Sequence, residues 1–171
     1  MLKACLLVCA ALAALTVPPA RAEDPIEGYW LVHAARDHGG VIHLYAEGGC
    51  INGKVAALES PEFSPRDYPQ FAGQPLRDVN NPDASRRQQP ILGLQVARCL
   101  KPVGGGHYEG GLFYRPEDGN DYRGKAALSP DAGTLAVRGY IGISLFGLTQ
   151  TWTRVDSPES VTQASYDQAR P

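Results

Sequence analysis

Beyond residue 22 the sequence has no long apolar run, so nothing there can cross a bilayer as a helix, which takes roughly 20 apolar residues. Excess positive charge is missing as well: 16 Lys and Arg stand against 18 Asp and Glu, for a formal net charge of -2. A surface of that sign attracts neither nucleic acid nor an anionic membrane, and both are set aside as partners. No Gly-x-Ser-x-Gly elbow, phosphate loop or His-Glu-x-x-His occurs, and Gly104-Gly105-Gly106 lacks the Lys-Ser or the helix that a phosphate cradle needs. Nucleophilic catalysis has no visible candidate, no cofactor is implied, and the chain reads as a non-enzyme. Cysteine is sparse, at four residues, and helical periodicity is nearly absent after the N-terminus.

What is present begins with Lys3, an apolar run from Leu6 to Val17 and a small-residue site, Ala20-Arg21-Ala22, which together read as a signal peptide over 1–22, cleaved near Ala22. The run is too short to span a membrane, and Pro18-Pro19 stops any helix from lengthening. Cys9 lies inside the run rather than at its end, which speaks against a lipid anchor. Cleavage removes Lys3 and Arg21, leaving a more acidic chain, and it removes two of the four cysteines. Cys50 and Cys99 then enter an oxidising compartment, the periplasm of a Gram-negative bacterium or the outside medium, where they either form a disulfide or stand as two buried thiols. Their spacing excludes a zinc knuckle and a Cys-x-x-Cys redox site.

Residues 23–155 make one domain. Short segments rich in β-branched and aromatic residues recur between Gly, Pro and Asp, near Gly28 to Ala35, Val41 to Glu47, Cys50 to Leu58, Ile91 to Cys99, His107 to Tyr114, Tyr122 to Leu128, Thr134 to Tyr140 and Leu148 to Val155. Asp37-His38-Gly39-Gly40, Pro116 to Asn120 and Pro130-Asp131-Ala132-Gly133 each join Asp with a Gly able to adopt positive φ, the chemistry of hairpin turns. Eight short strands joined mainly by tight turns predict an all-β, eight-stranded antiparallel up-and-down barrel, with room for one small ligand. The polar stretch 59–90 is too long for an ordinary connection and reads either as a lid or as a solvated insertion packed on the outside. From Asp156 to Pro171 the chain is polar and aperiodic, which predicts a flexible tail. With Trp30 inward, alternation places Val32, Ile42, Leu44, Val55, Leu92, Leu94 and Val96 inside, and Cys50 and Cys99 on the outer face of adjacent strands.

The segments Asp78-Val79-Asn80-Asn81-Pro82-Asp83, Gly110 to Gly119 and Leu135 to Gly142, closing with Phe146 to Arg154, together resemble the bacterial domain-of-unknown-function family 2147, small exported proteins. The resemblance runs from Gly28-Tyr29-Trp30 to Arg154. It implies a calycin-like, lipocalin-like barrel and transfers no catalytic residue. Arg86-Arg87-Gln88-Gln89 and the cysteines depart from the family pattern. A looser similarity is to lipocalins, in which a Gly-x-Trp on the first strand packs beneath an Arg from the last; Gly28, Trp30 and Arg154 stand in those places. A guanidinium over an indole gains roughly 0.5–2 kcal/mol and would close the barrel floor.

Several constellations bear on a site. His33, His38 and His43 would bring His33 opposite His43 across a hairpin centred near His38. Both rings then face outward with no third ligand, so no metal site is assigned. Asp78, Asn80, Asn81 and Asp83 offer clustered oxygens that suit calcium or a polar ligand at the barrel mouth, and the same residues serve turns. Glu117 and Asp118 diverge as neighbours and belong to a turn rather than a glycosidase dyad. Tyr108, Tyr114, Tyr122, Tyr140 and Trp152 either line a cavity or pack a filled core. The ligand-binding candidates are Asp78, Asn80, Asn81, Tyr114, Tyr140 and Trp152, for a small, mostly apolar ligand. The alternative is an envelope-structural module that meets a protein partner and has no cavity. Asp78, His107 and Arg138 are the weak nominees for an enzyme.

Overall fold

The computed structural model describes residues 23–33, 39–142 and 147–168. The signal-peptide reading, and His38 with Asp37, lie outside these residues. Strands β1 (Gly28–Val32), β2 (Gly40–Glu47), β3 (Cys50–Leu58), β4 (Gln95–Gly104), β5 (His107–Arg115), β6 (Asn120–Leu128), β7 (Thr134–Tyr140) and β8 (Leu148–Val155) form a closed barrel in chain order, each antiparallel to the next. Pairing of Tyr29, Trp30 and Leu31 with Val155, Arg154 and Thr153 completes the ring between β1 and β8. The up-and-down barrel expected from the strand pattern is therefore the fold. The first strand leaves one end, the floor, and every second connection returns there. The 59–94 connection, the β5–β6 turn and the β7–β8 turn share the opposite, open end.

Period-two alternation sets the inner wall. Trp30, Ile42, Leu44, Val55, Leu135, Val137 and Trp152 belong to one buried cluster. Near the floor the interior is filled by large side chains lying over small ones. A methyl group on Gly53 would come 2.7 Å from a Leu44 methyl, and one on Gly111 2.6 Å from Leu100 Cγ. At Gly124 it would overlap the Phe113 ring outright. Gly124→Ala is accordingly expected to cost about 1–3 kcal/mol, the usual range for overpacking. Urea denaturation checks this, and the added substitution Phe113→Ala should recover part of the loss.

Four sequence expectations change here. The fourth strand runs Gln95–Gly104 rather than Ile91 to Cys99, because Ile91 to Leu94 close a turn (Leu94 N–H to Ile91 O, 3.0 Å) that leaves Leu92 57% exposed instead of inside. The positive φ in the Pro130 to Gly133 turn belongs to Ala132, with Asp131 accepting from Gly133 N–H, whereas the Pro116 to Asn120 turn uses its glycine, Gly119, at φ 69°. The third change is the hairpin register. Trp30 faces Ile42 and Tyr29 faces His43, so His33 and His43 are not opposed; His43 stacks on Tyr29 at 4.6 Å and His33 meets Tyr166 edge-on. The last concerns the tail. After Val155 the chain makes a single 3-10 turn, Pro158–Ser160, and a helix, α1 (Gln163–Gln168), and Tyr166 is buried against Leu31 and Val41 on the outer wall. One short helix contributing one buried ring is too brief for a helical period to register.

Cys50 and Cys99 are joined by a disulfide, with their Cα atoms 4.6 Å apart. Pairing shifts from Gly53↔Ala97 to Ile51↔Leu100, so β4 carries one residue more than β3 over this interval, a β-bulge. Cys99 sits in the bulge at φ 52°, its N–H held by Asn52 Oδ1 at 3.0 Å.

Candidate functional site

The floor is sealed by the segment before β1. Ile26 is fully buried, and its carbonyl accepts the Trp30 indole N–H at 2.9 Å. The Arg154 guanidinium lies 4.3 Å from the centre of the Trp30 ring. Its Nε donates to Ala132 O (2.7 Å), Nη1 to Glu27 O (2.8 Å) and Nη2 to Pro25 O. Gly28 has φ 125°, and a Cβ there would come 2.8 Å from Arg154 Nη1, so only glycine leaves room for the cation. The Tyr108 hydroxyl donates to Asp24 beside this group.

The opposite end opens into a cavity of about 660 Å³. Ile42, Val55, Val96, Phe113, Val137 and Trp152 supply walls from the barrel, and Phe63, Leu76 and Ile91 of the 59–94 connection supply a roof. Phe113 and Trp152 meet edge-to-face at 6.1 Å, and the Trp152 indole N–H donates to Gln150 at 3.3 Å. Tyr68, Asn80, Arg115, Tyr122 and Gln150 place polar groups around the rim. Arg115 is already paired with Asp118 at 3.1 Å, and Asp118 also accepts from the Tyr122 hydroxyl at 2.6 Å and from Asn120 N–H at 3.1 Å.

The roof is tied to the β5–β6 turn. The Asn80 amide donates to Pro116 O (3.2 Å), Glu117 O (3.0 Å) and Tyr68 Oη (3.0 Å), and the backbone of Asn80 presses so closely on Gly119 that no side chain fits there. Asp78 is fully buried and accepts from Tyr114 (2.7 and 2.9 Å) and Asn81 (2.6 Å). Arg87 Nε in turn donates to Asn81 O. Of the six residues singled out for ligand contact, Asn80, Tyr114, Tyr140 and Trp152 border the cavity. Asp78 and Asn81 do not: they face the roof's anchor, where a buried carboxylate needs those donors. Asp83 Oδ1 accepts from Ser85, capping a short 3-10 turn, and is not shared with Asp78. His107 opens β5 at the floor, far from Asp78 at the mouth, and Arg138 donates to Thr149 at 2.8 Å, so the three enzyme nominees do not converge. The sequence reading missed the roof residues Phe63 and Leu76, whose one signal was an apolar side chain amid polar neighbours.

Burial, followed by the bonds to Asp24 and Asp78, pushes the Tyr108 and Tyr114 hydroxyls well above the ordinary 10.0. Above pH 10 the unfolded chain releases these protons while the folded chain keeps them. The stability they contribute is thus complete below pH 10 and lost as pH rises beyond it. Thermal midpoints recorded across the alkaline range should fall, and Tyr108→Phe and Tyr114→Phe should each flatten the slope.

A closed eight-stranded antiparallel barrel, floored by a Gly-x-Trp and an arginine and open over an apolar interior, is a lipocalin-like fold. The chain belongs to the family described as "Uncharacterized protein conserved in bacteria (DUF2147)", which it matches over residues 28–154. Among solved structures it is similar to protein HP1028 from the human pathogen Helicobacter pylori, described as belonging to the lipocalin family. That likeness has a TM-score of 0.64 and 18% identity over 85% of this chain and 98% of the other, and it concerns the fold. No curated protein matches the sequence.

Proposed function

We propose that the chain is an exported binding protein, without catalytic activity, that takes a small, mostly apolar ligand into the cavity beneath the 59–94 connection. The observation that carries this reading is the cavity itself. Its volume of about 660 Å³ falls within the roughly 300–1,000 Å³ typical of small-molecule sites, and apolar walls with a few polar groups at the rim are their usual lining. Burying apolar ligand surface there gains roughly 25 cal/mol per Å² before the costs of ordering. With the floor blocked by Ile26, Trp30 and Arg154, a ligand enters at the roofed end. Export is supported by Ala20-Arg21-Ala22 and by the Cys50–Cys99 disulfide.

Native mass spectrometry of the protein purified from periplasm should reveal a small-molecule adduct. 1-Anilinonaphthalene-8-sulfonate should bind after that adduct is stripped, and it should quench tryptophan emission. Trp152→Phe should remove most of the quenching, because Trp30 is buried at the far end. A clean mass together with no probe uptake would sink the proposal.

A further inference from the structure

We propose that the cavity is specific for an uncharged ligand whose polar end is a carbonyl or hydroxyl oxygen, and that Glu117 and Asp118 set this specificity by withholding Arg115 from anions. The inference rests on the binding reading above and adds the class of ligand to it. Among the described residues three charged side chains border the cavity, Arg77, Arg115 and Glu117. Arg115 ends β5 and is followed at once by the acidic turn Pro116-Glu117-Asp118-Gly119. That turn folds back on the arginine, since Asp118 N–H and Gly119 N–H both donate to Arg115 O, at 3.3 and 2.8 Å. Asp118 Oδ2 thereby meets Arg115 Nε at 3.1 Å, Glu117 stands 3.9 Å from the same nitrogen, and the guanidinium lies 5.7 Å from the centre of the Tyr122 ring. Arg77 donates to Gln74 at 2.8 Å and to Gln88, and lies 5.3 Å from the centre of the Phe71 ring. None of those three partners borders the cavity, so the Arg77 guanidinium is turned to the outer side of the roof.

An anion entering at the mouth leaves water to meet two carboxylates and an arginine whose charge they already offset, a cost that a neutral head does not carry. The hydrogen-bond donors point the same way. Tyr114 is committed to Asp78, Tyr122 to Asp118, and the Asn80 amide to the β5–β6 turn and Tyr68. What remains among the described residues is neutral. The Tyr68 hydroxyl accepts from Asn80 and keeps its own proton to give. Gln150 lies two residues from buried Trp152 and so faces inward. Its Oε1 accepts the indole N–H, which leaves its amide N–H groups for a ligand oxygen. A carbonyl or hydroxyl above an apolar body matches both these donors and the walls below them.

Displacement of N-phenyl-1-naphthylamine from the stripped mature protein, at about pH 8 where a fatty carboxyl group is ionised, tests it. This uncharged probe is the ring system of 1-anilinonaphthalene-8-sulfonate without the sulfonate, and it should be held more tightly than that anion. Decanol should displace it at a concentration about tenfold or more below that of decanoate. Glu117→Gln combined with Asp118→Asn should tighten decanoate roughly tenfold relative to decanol, because Arg115 can then pair with the carboxylate. Asn keeps the oxygen that accepts from Asn120 N–H, so the turn retains that bond. Adding Arg115→Gln should abolish the gain. If the probe is not taken up, the binding reading falls and this inference with it. If the probe binds and decanoate displaces it as readily as decanol, or if the double variant leaves their ratio unchanged, the binding reading stands and the specificity inference fails. The wild-type ratio decides alone should the double variant melt early.

Discussion

Trp30→Ala is expected to destabilise the protein by about 3–5 kcal/mol, the range for removing a large buried aromatic side chain. Three losses coincide. The indole is fully buried, so its removal leaves a void among Ile26, Ile42 and Leu44. The Ile26 carbonyl loses its donor, and the Arg154 guanidinium loses the ring beneath it. Domains of this size carry only about 5–15 kcal/mol in all, so the variant should unfold at much lower urea. Arg154→Ala, and the double variant, measure the coupling; the cation–ring contact alone predicts roughly 0.5–2 kcal/mol. A loss below about 1 kcal/mol for Trp30→Ala would mean that the floor collapses around the missing ring and that its packing is not specific.

The second large effect is expected from Cys50→Ala with Cys99→Ala. The bridge closes a loop with a sequence separation of 49, and restricting the unfolded chain to that extent is worth about 4 kcal/mol on the chain-entropy account. The loop contains the whole roof, so the same change removes the one covalent tie between the strands that flank it. Equilibrium denaturation of the oxidised protein and the double variant under identical conditions gives the number. A difference under about 1 kcal/mol would show that residual structure in the unfolded chain already holds these strands together.

Strand and turn were readable wherever one face is core and the other solvent, as along β5 to β8, where alternation and the Pro116 to Asn120 turn fix both ends. Reading failed where that condition fails. β2 buries Ile42 and Leu44 inward and Val41 outward beneath Tyr166, so its apolar run is continuous and says nothing about what covers the outer face. The pairing of His33 with His43 depended on the length of the β1–β2 connection. A different centre of the hairpin placed Tyr29 opposite His43 instead, and loop length, not side-chain pattern, decides such a register. At the mouth, composition located the right neighbourhood but could not orient it. Asp78 and Asn81 carry the groups that would hold a polar ligand, and the same groups satisfy a buried anchor, because turn chemistry and ligand chemistry draw on one set of side chains. Phe63 and Leu76 had no periodicity to announce them, since a roof built from irregular backbone has none.

Closure of β1 on β8 also dictates when the molecule can form. Trp30 finds Arg154 only after nearly every residue between them is available, so the ring cannot be completed by any N-terminal fragment. A chain that emerges first end foremost, from a ribosome or a translocation pore, holds β1 with one edge unpaired until its last strand arrives. Contacts that span the whole sequence are slow to find, which makes the final pairing a late event in folding and the interval before it the period of greatest exposure to aggregation.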